Sequence, residues 1–181
     1  MKSYKLLLSL AGLISGTLSS LFTDLTDIGG RGFLPTSYSN FFLPQILPGF
    51  IFGITIFTFL YFSQDLKQNF FLKLLWIPSS TFAYFIAFNT AFYTMGSLGI
   101  FSIVLAGLAG GLLMVSFFYI AYFKFTLSKI FMLTILSGLL SFAFFLTADV
   151  LFIIWQFGMA LAIGTLMDFR LKNNTSGTII T

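Results

Sequence analysis

The residue types that carry most enzyme chemistry are missing from this sequence. It has no Cys, no His and no Glu, and its five acidic residues are all Asp. Thiolate or imidazole metal sites, disulfides, Cys or His nucleophiles and Ser-His-Asp triads are therefore excluded. No Gly-x-Ser-x-Gly elbow or phosphate-binding loop occurs, so we expect neither an enzymatic activity nor a bound cofactor.

Charged residues near the ends of apolar stretches are the first candidates for a site. Asp24 and Asp27 lie three residues apart, so both carboxylates would share one helix face and could hold a divalent cation. A solvated helix end is the simpler interpretation of that pair. Asp149 is the one charge inside a long apolar stretch. It either caps a helix through its carboxylate or pairs with Arg31 across the mouth of the protein.

Neutral polar residues within apolar stretches form a second group of candidates. Asn89 and Gln156 each carry two amide donors that need partners inside a membrane, and we expect both at similar depth in the same half of it. Tyr84 belongs to the same polar inventory. These groups either bond neighbouring helices together or line a neutral, aromatic-walled pocket for a small neutral ligand.

The composition places these residues in a lipid bilayer. Of the 181 residues, 58% are hydrophobic, 20% aromatic and 8% charged, and the mean hydropathy is +1.02. A soluble domain has about 25% charged residues. Nine cations and five Asp could not cover the surface of a water-soluble fold of this size. The chain is therefore predicted to be an all-α integral membrane protein.

Apolar stretches bounded by charged or turn-forming residues predict six transmembrane helices in a compact bundle. A spanning helix needs roughly 20 apolar residues. The stretch from Ile130 to Met167 is too long for one span, so we predict two helices with a tight turn near Ala148. The predicted helices cover approximately 5–23, 44–63, 73–93, 97–123, 129–147 and 150–167. They form a single domain over 1–167, followed by a polar cytoplasmic tail over 168–181.

Positive charge is distributed unevenly between the two sides of this topology. With the N-terminus inside, the outer segments contain one cation, Arg31. The inner segments contain the others: Lys2, Lys5, Lys67, Lys73, Lys124, Lys129, Arg170 and Lys172. This positive-inside pattern predicts a multi-pass protein of the bacterial cytoplasmic (inner) membrane with both termini cytoplasmic.

The N-terminal segment allows a second interpretation. Lys2 and Lys5, followed by an apolar run to Phe22, also resemble a cleaved signal peptide. The run is longer than a usual signal-peptide core and lacks a clear A-x-A cleavage site, which favours a retained first helix.

Small residues recur every four positions in the first, fourth and sixth predicted helices. Without water to drive association, membrane helices pack closely at such residues. We predict that the first and fourth helices pack through Gly12, Gly16, Gly107 and Gly111. The alternative is that these small faces bind a partner membrane subunit.

The same two helices contain an internal match. The stretch that starts at Leu10, LAGLISGTLSSLF, resembles the stretch that starts at Leu105, LAGLAGGLLMVSF. The two run in opposite directions through the membrane, as an inverted repeat of three helices would require. Shared small-residue composition is the simpler explanation.

Together these features predict a small-molecule transporter or a substrate-capturing membrane subunit with a pocket open to the outer face. The long outer segment 24–43 would serve as its lid. In size, six crossings and inside termini, the chain resembles the substrate-binding subunits of energy-coupling-factor vitamin transporters, and this likeness is one of topology. A non-catalytic accessory or scaffold protein is the alternative. We expect no nucleic-acid partner.

Overall fold

Six helices of membrane-spanning length and composition make up the computed structural model, which describes residues 3–26, 38–62, 70–122 and 124–175. All regular structure in these ranges is helical. The elements are α1 (Tyr4–Thr26), α2 (Tyr38–Phe62), α3 (Phe70–Leu74), α4 (Trp76–Leu98), α5 (Phe101–Ala121), α6 (Leu127–Leu140), a 3-10 helix (Ser141–Phe145) and α7 (Ala148–Thr175). The prediction of six apolar spans is confirmed, with α3–α4 as the third span and α6 with the 3-10 helix as the fifth.

Several helix boundaries differ from the predicted ones, and α2 already begins at Tyr38 while α5 begins only at Phe101. The third span continues past residue 93 and ends only at Gly99, whose φ of 52° is a left-handed conformation that glycine adopts without strain. The last helix continues to Thr175, so the first residues of the polar tail extend α7. Polar residues alone do not end a helix, because a break needs a backbone conformation that competes with it.

The outward faces of the helices carry large apolar side chains. Phe62 is 71% exposed and Ile120 is 74% exposed, and many other Leu, Ile and Phe side chains point outward in the same way. A continuous apolar exterior of this extent marks a surface that contacts lipid or another apolar partner.

The helices pack in chain order around a common core. α1 packs on α2 and α7, α2 on α4, α4 on α5, α5 on α6, and both α6 and the 3-10 helix on α7. The contacts therefore close a ring. Large side chains such as Phe52, Trp76, Met114, Phe118 and Met159 fill its centre and are fully buried.

Contacts between distant parts of the chain define two ends of this bundle. The Ser3 hydroxyl donates to the Asp168 carboxylate at 2.8 Å, and the Tyr122 hydroxyl donates to the Lys73 carbonyl at 2.8 Å. The Lys129 ammonium lies 5.0 Å from the ring centre of Phe169. The end that these contacts share also carries four described lysines, and we call it the basic end: Lys5, Lys73, Lys124 and Lys129. The opposite end contains the turns at Gly99–Ile100 and Leu146–Thr147.

The predicted pairing of the first and fourth helices is wrong. Gly12 and Gly16 of α1 lie against α7, where a Cβ added at Gly12 would meet a backbone oxygen at 2.5 Å. Gly107 and Gly111 of α5 lie against α6 and the 3-10 helix. Small residues do mediate close helix approach, as expected. Their spacing cannot select a partner, because any two small faces are sterically compatible.

The inverted-repeat hypothesis can be compared with the helix contacts. An inverted repeat would relate α1 to α5 and α7 to α4, and the pairs α1–α7 and α5–α4 both pack together. The glycine contacts differ, because Gly12 and Gly16 pack on α7 whereas their counterparts Gly107 and Gly111 pack on α6 and the 3-10 helix. The repeat stays a hypothesis beside shared small-residue composition.

Candidate functional site

A cavity of about 230 Å³ lies between α4, α5, the 3-10 helix and α7, and we call it the α4–α7 cavity. α4 lines it from Ala83 to Met95, which is the half of that helix nearest Gly99. α5 and α7 line it with their first halves, up to Gly110 and Gln156. The cavity therefore lies in the half of the bundle opposite the basic end.

Both α4 and α7 line the cavity with aromatic rings. On α4, Ala83, Ala87 and Ala91 recur every four residues and form a stripe. Three rings of α4 flank this stripe: Tyr84, Phe88 and Phe92. Across the cavity, α7 presents the rings of Phe152 and Trp155. The large rings hold α7 away from α4, and α4 packs instead on α2 and α5.

Several polar groups beside the cavity are already bonded to one another. The Trp155 indole N–H donates to the Ser137 hydroxyl at 2.9 Å, and that hydroxyl donates to the Gly107 carbonyl at 2.7 Å. The Ser141 hydroxyl donates to the Ser137 carbonyl at 2.9 Å. This network joins α5, α6 and α7, and it occupies donors that a ligand would otherwise use.

Gln156 lines the cavity and also joins three helices. It is 1% exposed. Its amide nitrogen donates to the Ser19 hydroxyl at 3.0 Å and to the Pro48 carbonyl at 3.4 Å, and its amide oxygen accepts a hydrogen bond from Ser15. Both amide hydrogens are therefore used within the protein, as the interhelical-bonding interpretation requires.

Asn89 does not line the cavity, and it bonds a different residue of α2 than Gln156 does. Its amide nitrogen donates to the Phe85 carbonyl at 2.8 Å and to the Gln45 amide oxygen at 3.2 Å. Gln45 is 2% exposed, and its own amide nitrogen has no hydrogen-bond partner among the described residues. Gln45 was not among the predicted site residues, because a polar residue beside Pro44 is typical of a helix start.

Tyr84 of α4 contacts α7 through its ring. Its ring centre is 6.0 Å from that of Phe152, and its Cβ lies against Gly49 of α2. The Tyr84 hydroxyl forms no hydrogen bond with any described residue, and it is not fully enclosed. Tyr84 also lines the cavity, which makes its hydroxyl the candidate donor for a bound molecule.

Asp149 lies in the first turn of α7, but it is not the residue that caps that helix. The Thr147 hydroxyl accepts a hydrogen bond from the Val150 N–H at 3.1 Å, which is the usual N-cap geometry. The expectation that the Asp149 carboxylate caps the helix is wrong. Its charge complements the positive end of the helix dipole instead, and it does not line the cavity.

Three predicted site residues cannot be placed. Arg31 and Asp27 lie outside the described residues, and Asp24 lies in a part of α1 whose side chains are not described. The Arg31–Asp149 pair and the Asp24–Asp27 cation site therefore stay predictions. Among the described residues, no three carboxylate, thiol or imidazole side chains come together.

The comparisons with known proteins find nothing similar: no family model, no curated protein and no solved structure matches this chain. The function has to be argued from the cavity and its lining residues.

Proposed function

We propose that this protein binds a small neutral molecule in the α4–α7 cavity and acts as a transporter or as a substrate-capturing membrane subunit, with no catalytic step. The cavity of about 230 Å³ is the observation that supports this proposal. Protein interiors are close-packed, with few voids larger than a water molecule. Ligand sites are preformed, mostly apolar and supplied with a few polar groups, and this lining has the same character.

We further propose that the basic end faces the cytoplasm of a bacterial cell, with both termini inside. Lys5, Lys73, Lys124 and Lys129 gather at one end of the bundle, which is the charge asymmetry that sets orientation in the cytoplasmic membrane. In that orientation the cavity lies in the outer half of the bilayer, and a ligand would enter from outside. Reporter fusions after Gln64, Ser128 and Thr181 should all report the cytoplasmic side. An external signal at Thr181 alone would contradict the even number of crossings.

Native mass spectrometry of the protein purified from its own membrane tests ligand binding. We expect a bound small molecule in the unmodified protein and its loss in Ala91→Phe, which fills the cavity. Ala109→Phe is the matched control, because Ala109 is also a half-buried alanine but does not line the cavity. Absence of any bound molecule, or equal retention by both variants, would contradict the proposal.

An accessory or scaffold role is the alternative. The small-residue faces proposed for a partner subunit pack inside the bundle at Gly12, Gly16, Gly107 and Gly111, so this alternative needs another surface. Recovery of a stoichiometric partner in mild detergent, without a bound ligand, would favour the scaffold role.

A further inference from the structure

The lining of the α4–α7 cavity narrows the chemistry of its ligand. Building on the proposed function, we infer that the ligand is a neutral, planar, mostly hydrocarbon molecule with a carbonyl-type acceptor that bonds the Tyr84 hydroxyl. Three properties of the described lining residues lead to this class: their charge, their shape and their free hydrogen-bond donors.

The charge of the lining excludes an ionic ligand. No Lys, Arg or Asp is among the described lining residues. The described lysines gather at the basic end, and Asp149 lies in the first turn of α7 without reaching the cavity. An ion in this apolar space would lose its hydration without gaining a counter-charge, which is strongly unfavourable.

The shape of the lining favours a flat molecule. α4 lines the cavity with its alanine stripe and the flanking rings of Phe88 and Phe92, and α7 lines it with the rings of Phe152 and Trp155. Aromatic side chains interact favourably with flat unsaturated molecules through offset or edge contacts. A flexible alkyl chain would lose more conformational freedom on entering such a slot than a rigid ring system would.

The free donors determine the polar part of the ligand. The Trp155 N–H, the Ser141 hydroxyl and both amide hydrogens of Gln156 already bond to protein acceptors. Among the described lining residues, the Tyr84 hydroxyl is the remaining uncommitted donor. A ligand with one acceptor at the Tyr84 side of the cavity would satisfy it, and a hydrogen bond in such apolar surroundings is strengthened.

The two tryptophans allow a direct measurement of binding. Trp155 lines the cavity, whereas Trp76 is fully buried elsewhere in the core. In a Trp76→Phe background, Trp155 is the sole tryptophan and reports on the cavity. The probe is 1,4-naphthoquinone, a flat, neutral dicarbonyl that quenches tryptophan on contact. The chain has no Cys that this probe could alkylate.

Three purified proteins are titrated with the quinone: Trp76→Phe, and Trp76→Phe combined with either Tyr84→Phe or Ala91→Phe. We expect saturable quenching, a Kd raised roughly 3- to 10-fold by Tyr84→Phe through the loss of one hydrogen bond, and no saturable phase in Ala91→Phe. Naphthalene, which has no acceptor, should displace the quinone more weakly by a similar factor. Its affinity should be unchanged by Tyr84→Phe.

The outcomes separate this inference from the proposed function. Quenching that does not saturate, or that persists in Ala91→Phe, would overturn both ligand binding in the cavity and the inferred ligand class, since the probe would then only be dissolved in detergent. If quenching is saturable and is lost in Ala91→Phe but is unchanged by Tyr84→Phe, the cavity binds a ligand and the inferred hydrogen bond from Tyr84 to a ligand acceptor is wrong. Displacement by 1-naphthoate as effective as by the quinone would overturn neutrality. Displacement by dodecane stronger than by naphthalene would overturn planarity and identify an alkyl chain as the occupant.

Discussion

α7 has two sides that differ in packing: a tight interface with α1 and the open α4–α7 cavity. On the α1 side, Gly12 and Gly16 bring the two backbones together, and a Cβ added at Gly16 would lie 2.6 Å from the Ile153 Cα. On the other side, Phe152 and Trp155 keep α7 away from the alanines of α4. At Gly12 and Gly16 the interface closes because backbone atoms of α7 face these glycines.

Hydrogen bonding also differs between the α1 side and the cavity side of α7. Along the α1 interface, Gln156 bonds Ser15 and Ser19, and near the basic end the Asp168 carboxylate accepts hydrogen bonds from the Tyr4 N–H at 2.7 Å and the Lys5 N–H at 3.0 Å. These bonds satisfy backbone donors at the start of α1 that no helical carbonyl can reach. On the cavity side, the Tyr84 hydroxyl has no hydrogen-bond partner among the described residues. One face of α7 is thus bonded to its neighbour, and the other lines the cavity that we propose binds a ligand.

The largest expected effect comes from losing α1 altogether. A cleaved signal peptide would remove the helix that packs on α7 and, with it, the Ser15 and Ser19 partners of the Gln156 amide. We expect the mature protein to retain α1, and an intact-mass measurement of the purified protein checks this. A mass that lacks the first span, in a protein that is still stably folded, would show that the α1–α7 interface is not part of the native bundle.

Overpacking the tight interface should have the next largest effect. Gly16→Leu forces a side chain against the α7 backbone, and we expect it to lower the free energy of unfolding by about 3 kcal/mol. Gly96→Leu is the matched control, because no atom lies within 4 Å of a Cβ added there. Thermal unfolding of both variants in the same detergent makes the comparison. Similar stability of the two would mean that α1 and α7 are not in backbone contact.

Replacing each interhelical amide by Leu should lower the free energy of unfolding by different amounts at Gln156 and Asn89. Gln156→Leu leaves hydroxyl groups of α1 and a carbonyl of α2 without their partner, and we expect a loss of about 1–2 kcal/mol. Asn89→Leu removes one interhelical bond, to Gln45, and should cost less. Unfolding measurements on both variants test the order. A larger loss for Asn89→Leu would contradict the central role of Gln156.

The carboxylate near the basic end should contribute less than the buried amide. Asp168→Ala removes the acceptor for two backbone N–H groups and the Ser3 hydroxyl, and we expect a loss of about 1 kcal/mol. Asp149→Ala loses mainly a helix-dipole interaction and should change stability by about 0.5 kcal/mol. Equal losses in denaturant titrations would show that Asp168 does not hold the start of α1.

The smallest effect is expected on the cavity side. Ala91→Phe adds about as much volume as Gly16→Leu, but it adds it to open space, so we expect its free energy of unfolding to stay within about 0.5 kcal/mol of the unmodified protein. The same thermal measurement, repeated on this variant, makes the comparison. A loss as large as that of Gly16→Leu would mean that the cavity wall cannot accept a ring and that the space is too small for the proposed ligand.

Much of the architecture could be predicted from the sequence by itself. The six spans follow from hydropathy and length, because in lipid each apolar helix must satisfy its own backbone. The same logic singled out Asn89, Gln156 and Tyr84 as polar groups that either bond helices together or line a pocket. It also gathered the lysines at one end, because alternating spans bring every second connection to the same side.

The tertiary structure alone decided which faces meet. Gly12, Gly16, Gly107 and Gly111 look interchangeable along the chain, and only the shapes of the surrounding side chains direct the α1 glycines to α7 and the α5 glycines to α6. That Asn89 bonds Gln45 while Gln156 bonds Pro48 and two serines of α1 depends on the rotation of each helix about its axis. The cavity arises in the same way. Its lining comes from α4, α5, the 3-10 helix and α7, and hydropathy along one segment does not encode which of their faces converge.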